Sequence, residues 1–327
     1  MDLEHRSIER IKMASEIALA HYGKPIVCTY SGGKDSDVML ELFRRSGVPF
    51  EVHNSHTTVD APHTVYHIRD RFKKLENQGI KCEIELPPVN KSDPQKRRFT
   101  MWSLIVKKKF PPTRLKRYCC SILKEGSCRE RMIATGVRWK ESNARASRGE
   151  YEILGKTKAD RITITDAEMT GKEEEKEYQQ IAIPGLEEEV GEIMLMNDNS
   201  KRRKFIERCV LKAKTVCNPI IEWDEREIWD FLESEKIQTN PLYKMGFSRV
   251  GCIGCPMADK GRYFEFEVFP TYKIAYIHAF DKMLEAMRAS GNKKPRWKNG
   301  EEVFAWWMED ATIPGQIEME DYIAGIE

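Results

Sequence analysis

Pro25-Ile-Val-Cys-Thr-Tyr30, followed by Ser31-Gly32-Gly33-Lys34-Asp35-Ser36 and then Asp37-Val-Met-Leu-Glu-Leu-Phe43, is the stretch that decides the fold. The first run is short, apolar and β-rich, and reads as a buried strand. A glycine pair follows at once, and helical periodicity resumes from Ser36 to Phe43. Outward from there the alternation repeats. Val48 to His53 reads as a second strand, Ala61 to Gln78 as a long helix, and Lys81 to Leu86 as a third, alternating strand. Strand, helix, strand, helix, strand predicts an α/β fold with a parallel sheet flanked by crossover helices. Upstream, Ile8, Ile11, Met13, Ile17 and Ala18 give residues 4 to 21 the pattern of an amphipathic helix.

Further along, residues 99 to 109 suit a helix closed by Pro111-Pro112. The stretch from Ser147 to Val216 is highly charged, with few apolar anchors and no clear period until Met194, and reads as an insertion or flap. The pattern sharpens again at Asn218. Asp224 is the expected N-cap of a helix ending near Glu235, and Tyr272 to Ala289 forms another helix ahead of the Trp306-Trp307 pair. The expected organisation is therefore an α/β nucleotide-type domain over 1–146, a charged insertion over 147–216, and a smaller, mostly helical part over 217–327.

With 40% apolar and 32% charged residues, the composition is that of a folded soluble chain. No apolar run reaches the roughly 18 to 20 residues that span a bilayer. The N-terminus lacks an apolar h-region, so a signal peptide is not expected and the cytoplasm is the default. A net charge of +2 announces no polyanion partner. The bases are nevertheless clustered at Lys107-Lys108-Lys109, at Arg114, Lys116 and Arg117, and at Lys201 to Lys204, balanced by Glu173 to Glu175 and Glu187 to Glu189. Such clusters either build a local positive field or lie on solvated helix faces.

Small residues between a strand and a helix let backbone N–H groups converge on an anion, and the helix N-terminus adds partial positive charge. Gly32 and Gly33 permit a tight, positive-φ turn and close approach of phosphates. Ser31 and Ser36 supply hydroxyls. Lys34 is a point charge suited to a departing pyrophosphate, and Asp35 either holds Mg²⁺ or orients Lys34. The spacing is not that of the GxxxxGK[ST] loop. The bland alternative, a turn with a solvated lysine, fits poorly with a strand before it and a helix after it.

Nine cysteines in a reducing compartment argue against disulfides. Cys28, Cys82, Cys128, Cys209 and Cys217 have no partner at ligand spacing and are expected to be buried. Cys119-Cys120 and Cys252-Ile-Gly-Cys255 remain. Four thiolates complete a tetrahedral zinc site or an iron–sulfur cube. Adjacent cysteines on a helix diverge by about 100°, which suits a large cluster better than one small ion. On spacing alone zinc, a cluster and unligated core cysteines all stay open.

Five motifs occur together in order: SGGKDSDVML, HTTVDAPHTVYHI, RYCCSILK, TGVRWKESNAR, and NPIIEWDEREIWDFL running on to NPLYKMGFSRVGCIGCP. In these the chain resembles the phosphoadenylyl-sulfate (PAPS) reductase superfamily, within the N-type ATP pyrophosphatases (PP-loop, adenine nucleotide alpha hydrolase-like). The likeness covers roughly residues 20 to 260, interrupted over 147–216. It implies an adenine nucleotide at Ser31 to Ser36, a [4Fe-4S] cluster on Cys119, Cys120, Cys252 and Cys255, and phosphate contacts from Arg138 and Arg145. Arginine as a bidentate phosphate clamp agrees with those two assignments, against the plainer role of surface ion pairs.

Two departures shape the expected function. Sulfonucleotide reductases typically lack the loop lysine, whereas Lys34 is present. They also end in a tail whose cysteine attacks sulfur, whereas this sequence runs from Glu320 to Glu327 with no cysteine after Cys255. Both point to an AMP-forming enzyme similar to the sulfur-transfer component of DNA phosphorothioation systems. Lys34, Asp35 and Arg138 are its catalytic candidates, and ATP, Mg²⁺ and the cluster its cofactors. Nucleic acid is the expected acceptor, and a cysteine desulfurase or similar protein the expected sulfur donor. The alternatives are a sulfonucleotide reductase borrowing a partner's thiol, and a nucleotide-binding subunit with a structural cluster in a modification or defence complex.

Overall fold

The computed structural model describes residues 2–128, 130–154, 161–170, 201, 205–206, 208, 214–291 and 295–309. Cys209, the bases at 202–204, the acidic blocks at 173–175 and 187–189, and the terminal segment 320–327 lie outside them. The described residues group into two compact units, each gathered from separate parts of the chain. The first draws on Met1–Asn54, Pro62–Glu85 and Ser127–Val250; the second on Ser55–Ala61, Leu86–Gly126 and Gly251–Glu327.

The first unit is built on a seven-stranded sheet. Its strands are β1 (Ile26–Thr29), β2 (Phe50–Ser55), β3 (Cys82–Glu85), β4 (Met132–Ala134), β5 (Tyr151–Ile153), β6 (Ile162–Ile164) and β7 (Thr215–Cys217), in the order β3-β2-β1-β4-β7-β5-β6. β1 runs parallel to β2 and β4, and β4 parallel to β7, while β5 is antiparallel to β7 and β6. The expected parallel α/β architecture is what forms. Ile26, Val27 and Cys28 are fully buried, as a strand covered on both faces requires.

Helix α1 (Leu3–Ile17) starts at Asp2, whose side chain accepts from the Glu4 amide. α2 (Lys34–Ser46) and α3 (Pro62–Glu76) are the crossover helices after β1 and β2. Ile11, Ala14, Met39, Leu42 and Phe43 of α1 and α2 are fully buried in the core. Arg10 is buried among them because Asp166 Oδ2, Glu222 Oε2 and the Pro219 carbonyl lie 2.8, 3.0 and 3.2 Å from its guanidinium nitrogens. Among the described residues of 147–217, three strands of three residues each join the sheet. Segments that short leave no period to read.

The second unit is helical and aromatic. α4 (Met101–Lys108) opens on a capping box at Thr100, and α5 (Tyr118–Leu123) carries the adjacent cysteines. α6 (Glu225–Ser234) belongs to the first unit, and α7 (Gly261–Val268), α8 (Pro270–Ala289) and α9 (Gly300–Glu309) to the second. Trp307 packs at 4.7 Å from Tyr276 and 5.5 Å from Phe280, and its indole N–H donates to the Pro112 carbonyl at 2.6 Å. No described helix is long and apolar enough to cross a membrane.

Candidate functional site

The phosphate-type loop lies between β1 and α2, as the strand–glycine–helix pattern implies. The two glycines serve different ends. Gly32 takes φ +74°, and a Cβ there would meet Ile68 Cγ1 at 2.9 Å, so both backbone and space demand glycine. Gly33 is extended at φ −97° and is the N-cap of α2; lacking a side chain, it leaves the helix end open to an external anion. The positive φ expected of the pair is confined to Gly32. Ser36 is buried and donates to the Gly33 carbonyl at 2.7 Å, bracing the turn. Ser31 is exposed, with its hydroxyl 3.4 Å from that of Ser36.

Lys34 and Arg138 are both buried. Lys34 Nζ sits 3.2 Å from Asp35 Oδ2 and 3.3 Å from Glu225 Oε1. Arg138 reaches the same two acids, 2.6 Å to Asp35 Oδ1 and 2.8 Å to Glu225 Oε2. Two cations thus share two carboxylates in a square of alternating charge. Both Asp35 oxygens are engaged by these cations. Burial pushes the Glu225 carboxyl up, but Lys34 and Arg138 outweigh it and hold it below the usual range. The Glu225 side chain is 58% exposed, so it is the member free to swing away. Lys34, Arg138 and Glu225 line a cleft of about 560 Å³ that also includes Lys140 and Ser248. Arg145 is half-buried and pairs with Glu141; burial lowers its pKa, and Asp35 and Arg138 are within its electrostatic reach.

Three supports of this loop escape a reading of the motif alone. Tyr243 Oη accepts from the Lys34 amide at 2.9 Å. Asn240 is fully buried, donating to the Gly32 carbonyl at 3.0 Å and to Thr64 Oγ1 at 3.2 Å. Asp37 is buried behind the loop and accepts from the Tyr30 hydroxyl at 2.6 Å. The available signal was position. Asp37 belongs to SGGKDSDVML, Glu225 to NPIIEWDEREIWDFL, and Asn240 and Tyr243 to NPLYK.

All four candidate cysteines belong to the second unit, where Cys119 lies within electrostatic reach of Cys120, Cys252 and Cys255. Cys252 is half-buried, with its thiol 3.4 Å from Thr57 Oγ1. The knuckle is fixed on several sides: the Ile253 amide donates to the Val59 carbonyl at 2.8 Å, Tyr276 Oη donates to the Ile253 carbonyl at 2.9 Å, and the Gly254 amide donates to Glu265 at 2.7 Å. Gly254 takes φ +74°, and a Cβ there would lie 2.7 Å from Phe266 Cζ. Cys119 donates to Cys120, which raises its own pKa and lowers that of Cys120 to about 6; Lys124 and Arg117 add to the lowering. Lys124 in turn is held protonated by Cys252, Asp60, Cys120 and Cys255.

A site holding one zinc needs its sulfurs roughly 3.8 Å apart, from bonds of about 2.3 Å. The grouping of three ligand atoms within 4.8 Å among the described residues is His53, Glu85 and Cys128, not a set of these cysteines. Cys28 and Cys217 are fully buried, as expected, whereas Cys82 and Cys128 are only half-buried. Of the basic cluster, Lys107 to Lys109 are exposed, with Lys107 4.6 Å over the Phe99 ring and Lys116 4.8 Å over Phe110.

Comparison with known proteins bears on both regions. Short stretches resemble curated proteins: an uncharacterized protein of Escherichia phage 186, 31% identical over 24% of this chain and 23% of that one, and the adenosine 5'-phosphosulfate reductase of Allochromatium vinosum, 37% identical over 12% of this chain and 16% of that one. The chain thus matches about a quarter or less of either relative's length. Among solved structures, the PAPS reductase of Candida auris aligns over 73% of this chain and 87% of that one, at 13% identity and a TM-score of 0.39. The U34-tRNA thiolase of Methanococcus maripaludis with its [4Fe-4S] cluster aligns over 88% and 82%, at 15% identity and a TM-score of 0.36. The phosphoadenosine phosphosulfate reductase domain matches residues 25–258, from the start of the first strand to just past Cys255. Running through the loop, both arginines and all four cysteines, that match makes this chain a member of the phosphoadenosine phosphosulfate reductase domain family.

Proposed function

We propose that this chain cleaves ATP between the α and β phosphates and places AMP on an acceptor oxygen, making it a leaving group for incoming sulfur. One observation carries the reading: a buried lysine and a buried arginine, Lys34 and Arg138, converge at a helix N-terminus whose N-cap is a glycine, held there by acids of which Glu225 is exposed. A departing pyrophosphate carries several negative charges, and pre-placed cations stabilise it without reorganisation. Phosphate oxygens would replace Glu225 as partners of Lys34 and Arg138, while Asp35 keeps both cations aimed. Arg145 would add a further contact. Mg²⁺ would accompany the phosphates of the nucleotide, with no protein ligand assigned to it.

Cys119, Cys120, Cys252 and Cys255 would hold a [4Fe-4S] cluster, supplying a site that binds or relays sulfur. The residues around it have their own part: Tyr276, Glu265 and the Val59 carbonyl fix the knuckle, and Lys124 offsets thiolate charge. Nucleic acid is the proposed acceptor, supported by the exposed lysines at 107 to 109. A persulfide-bearing protein such as a cysteine desulfurase is the proposed donor.

Product analysis tests the chemistry. The expected products are AMP and pyrophosphate; ADP and phosphate would refute the reading. Nucleic-acid binding should weaken steeply with salt, and neutralising Lys107, Lys108 and Lys109 together should flatten that slope. The short matches to adenosine 5'-phosphosulfate reductases favour a second reading, reduction of a sulfonucleotide with a partner's thiol. Sulfite release from an adenylyl sulfate with thioredoxin, together with salt-independent binding, would favour it.

A further inference from the structure

A second group of chemistry-bearing residues, none of them in the loop's charged square, lies in the first unit. His53 stands on β2, Glu85 ends β3, and Cys128 lies in the segment leading to β4. We propose that these three form a binding site for a single divalent transition-metal ion of the zinc class. Their ligand atoms all lie within 4.8 Å of one another. His53 Nδ1 is 3.1 Å from Glu85 Oε1, Cys128 Sγ is 3.2 Å from the same oxygen, and Sγ is 3.6 Å from Nδ1. A tetrahedral ion with bonds of about 2.0 Å to oxygen and nitrogen and 2.3 Å to sulfur sets its ligands roughly 3.3 to 3.6 Å apart. The observed triangle nearly has that size already.

Hydrogen bonding aims the imidazole. His53 Nε2 lies 3.0 Å from Glu51 Oε2, and Glu51 is itself neutralised by Arg131 at 3.0 Å and Lys81 at 3.3 Å. A carboxylate held by two cations favours the tautomer with its proton on Nε2, in which the Nδ1 lone pair would face Glu85 and Cys128. That is the carboxylate–histidine relay that orients metal-ligating imidazoles. Two acceptors facing each other at 3.1 Å need a cation or an extra proton between them. Thiolate, imidazole and carboxylate together suit zinc, whereas magnesium or calcium would call for oxygen alone. Lys214 is the other charge near Cys128, its ammonium bonded to the Ser127 carbonyl at 3.0 Å.

The fold gives the ion a purpose. β3 is the edge strand, and its four residues are half-buried or exposed, so little apolar packing holds it. A metal joining β2, β3 and the approach to β4 would pin that edge. The backbone then carries the constraint onward, because the His53 carbonyl accepts from Tyr30, the residue that enters the loop.

The test uses the full chain. Cysteine alkylation is followed peptide by peptide, without metal, with zinc, and with zinc followed by a chelator. Labelling of Cys128 should slow roughly tenfold at zinc ten times its dissociation constant and recover with chelator, while Cys82 is unchanged. Equal Cys128 labelling with and without zinc overturns the proposal. In Glu51→Gln, the zinc needed for half-protection should rise by roughly 10 to 100-fold. An unchanged half-protection point in that variant, shown folded by circular dichroism, overturns the assignment of His53 as a ligand. If the variant does not fold, protection of Cys128 in the parent chain still decides.

Discussion

The loop at Lys34 and the knuckle at Cys252 are built by opposite means. Six consecutive residues make the loop, and distant partners such as Arg138, Glu225, Asn240 and Tyr243 only refine it. The knuckle supplies half of its proposed ligand set; the other half comes from α5, far away in sequence. Charge is handled differently too. The loop keeps two buried cations solvated by two carboxylates, one of them exposed, while the cysteine region sets one lysine against several sulfurs. A contiguous anion site is a property of one turn. A thiolate set is a property of a packed unit.

That contrast can be broken most sharply at the cysteines. Cys252→Ser should reduce iron in the anaerobically purified chain from about four per chain to near none, whereas Cys28→Ser should leave it unchanged. Iron retained in Cys252→Ser, or stoichiometric zinc with iron supplied, would show that this region is not a cluster site. Next comes Lys34→Ala, which should lower the rate of AMP formation by about 10²–10³-fold, the loss typical of one pre-placed donor to developing negative charge. Iron content should not change, and an unaltered rate would remove Lys34 from the mechanism.

A smaller effect is expected where the loop depends on a distant residue. Asn240→Ala leaves the Gly32 carbonyl and the Leu242 amide without their partner, and denaturant titration should show a loss of about 1–3 kcal/mol. An unchanged midpoint would mean that the loop stands without this support. Least of all, Glu225→Gln removes an exposed competitor for Lys34 and Arg138. Pyrophosphate should bind up to about fivefold more tightly, the scale of a screened pair worth about 0.2–1 kcal/mol. Weaker binding would make Glu225 a phosphate-site support instead of a stand-in.

Legibility followed locality. β1, the glycine turn and α2 were readable because an apolar run, two glycines and a helical period are neighbours in sequence. Asp224 was readable as an N-cap for the same reason, and its side chain accepts from the Glu227 amide at 2.9 Å. Glu225, one residue on, was not legible as a site residue, since nothing local distinguishes a first-turn acid facing a cleft from one facing solvent. Cys128 looked like an isolated cysteine until β2 and β3 placed His53 and Glu85 beside it. Strands β5, β6 and β7 left no trace, because three residues do not make a period.

By itself, then, the sequence determined the parallel α/β scaffold, the helix N-terminus that meets an anion, and the residue types from which sites are made. Each of these rests on spacing within one element, where the chain's own geometry sets which side chains are neighbours. Only the tertiary structure decided that Glu225 closes a square with Asp35 around Lys34 and Arg138, that the two cysteine pairs share one unit, and that His53, Glu85 and Cys128 converge. Those meetings depend on how strands are ordered and how helices pack, and the energies that select the order are summed over the whole core instead of being written at any one position.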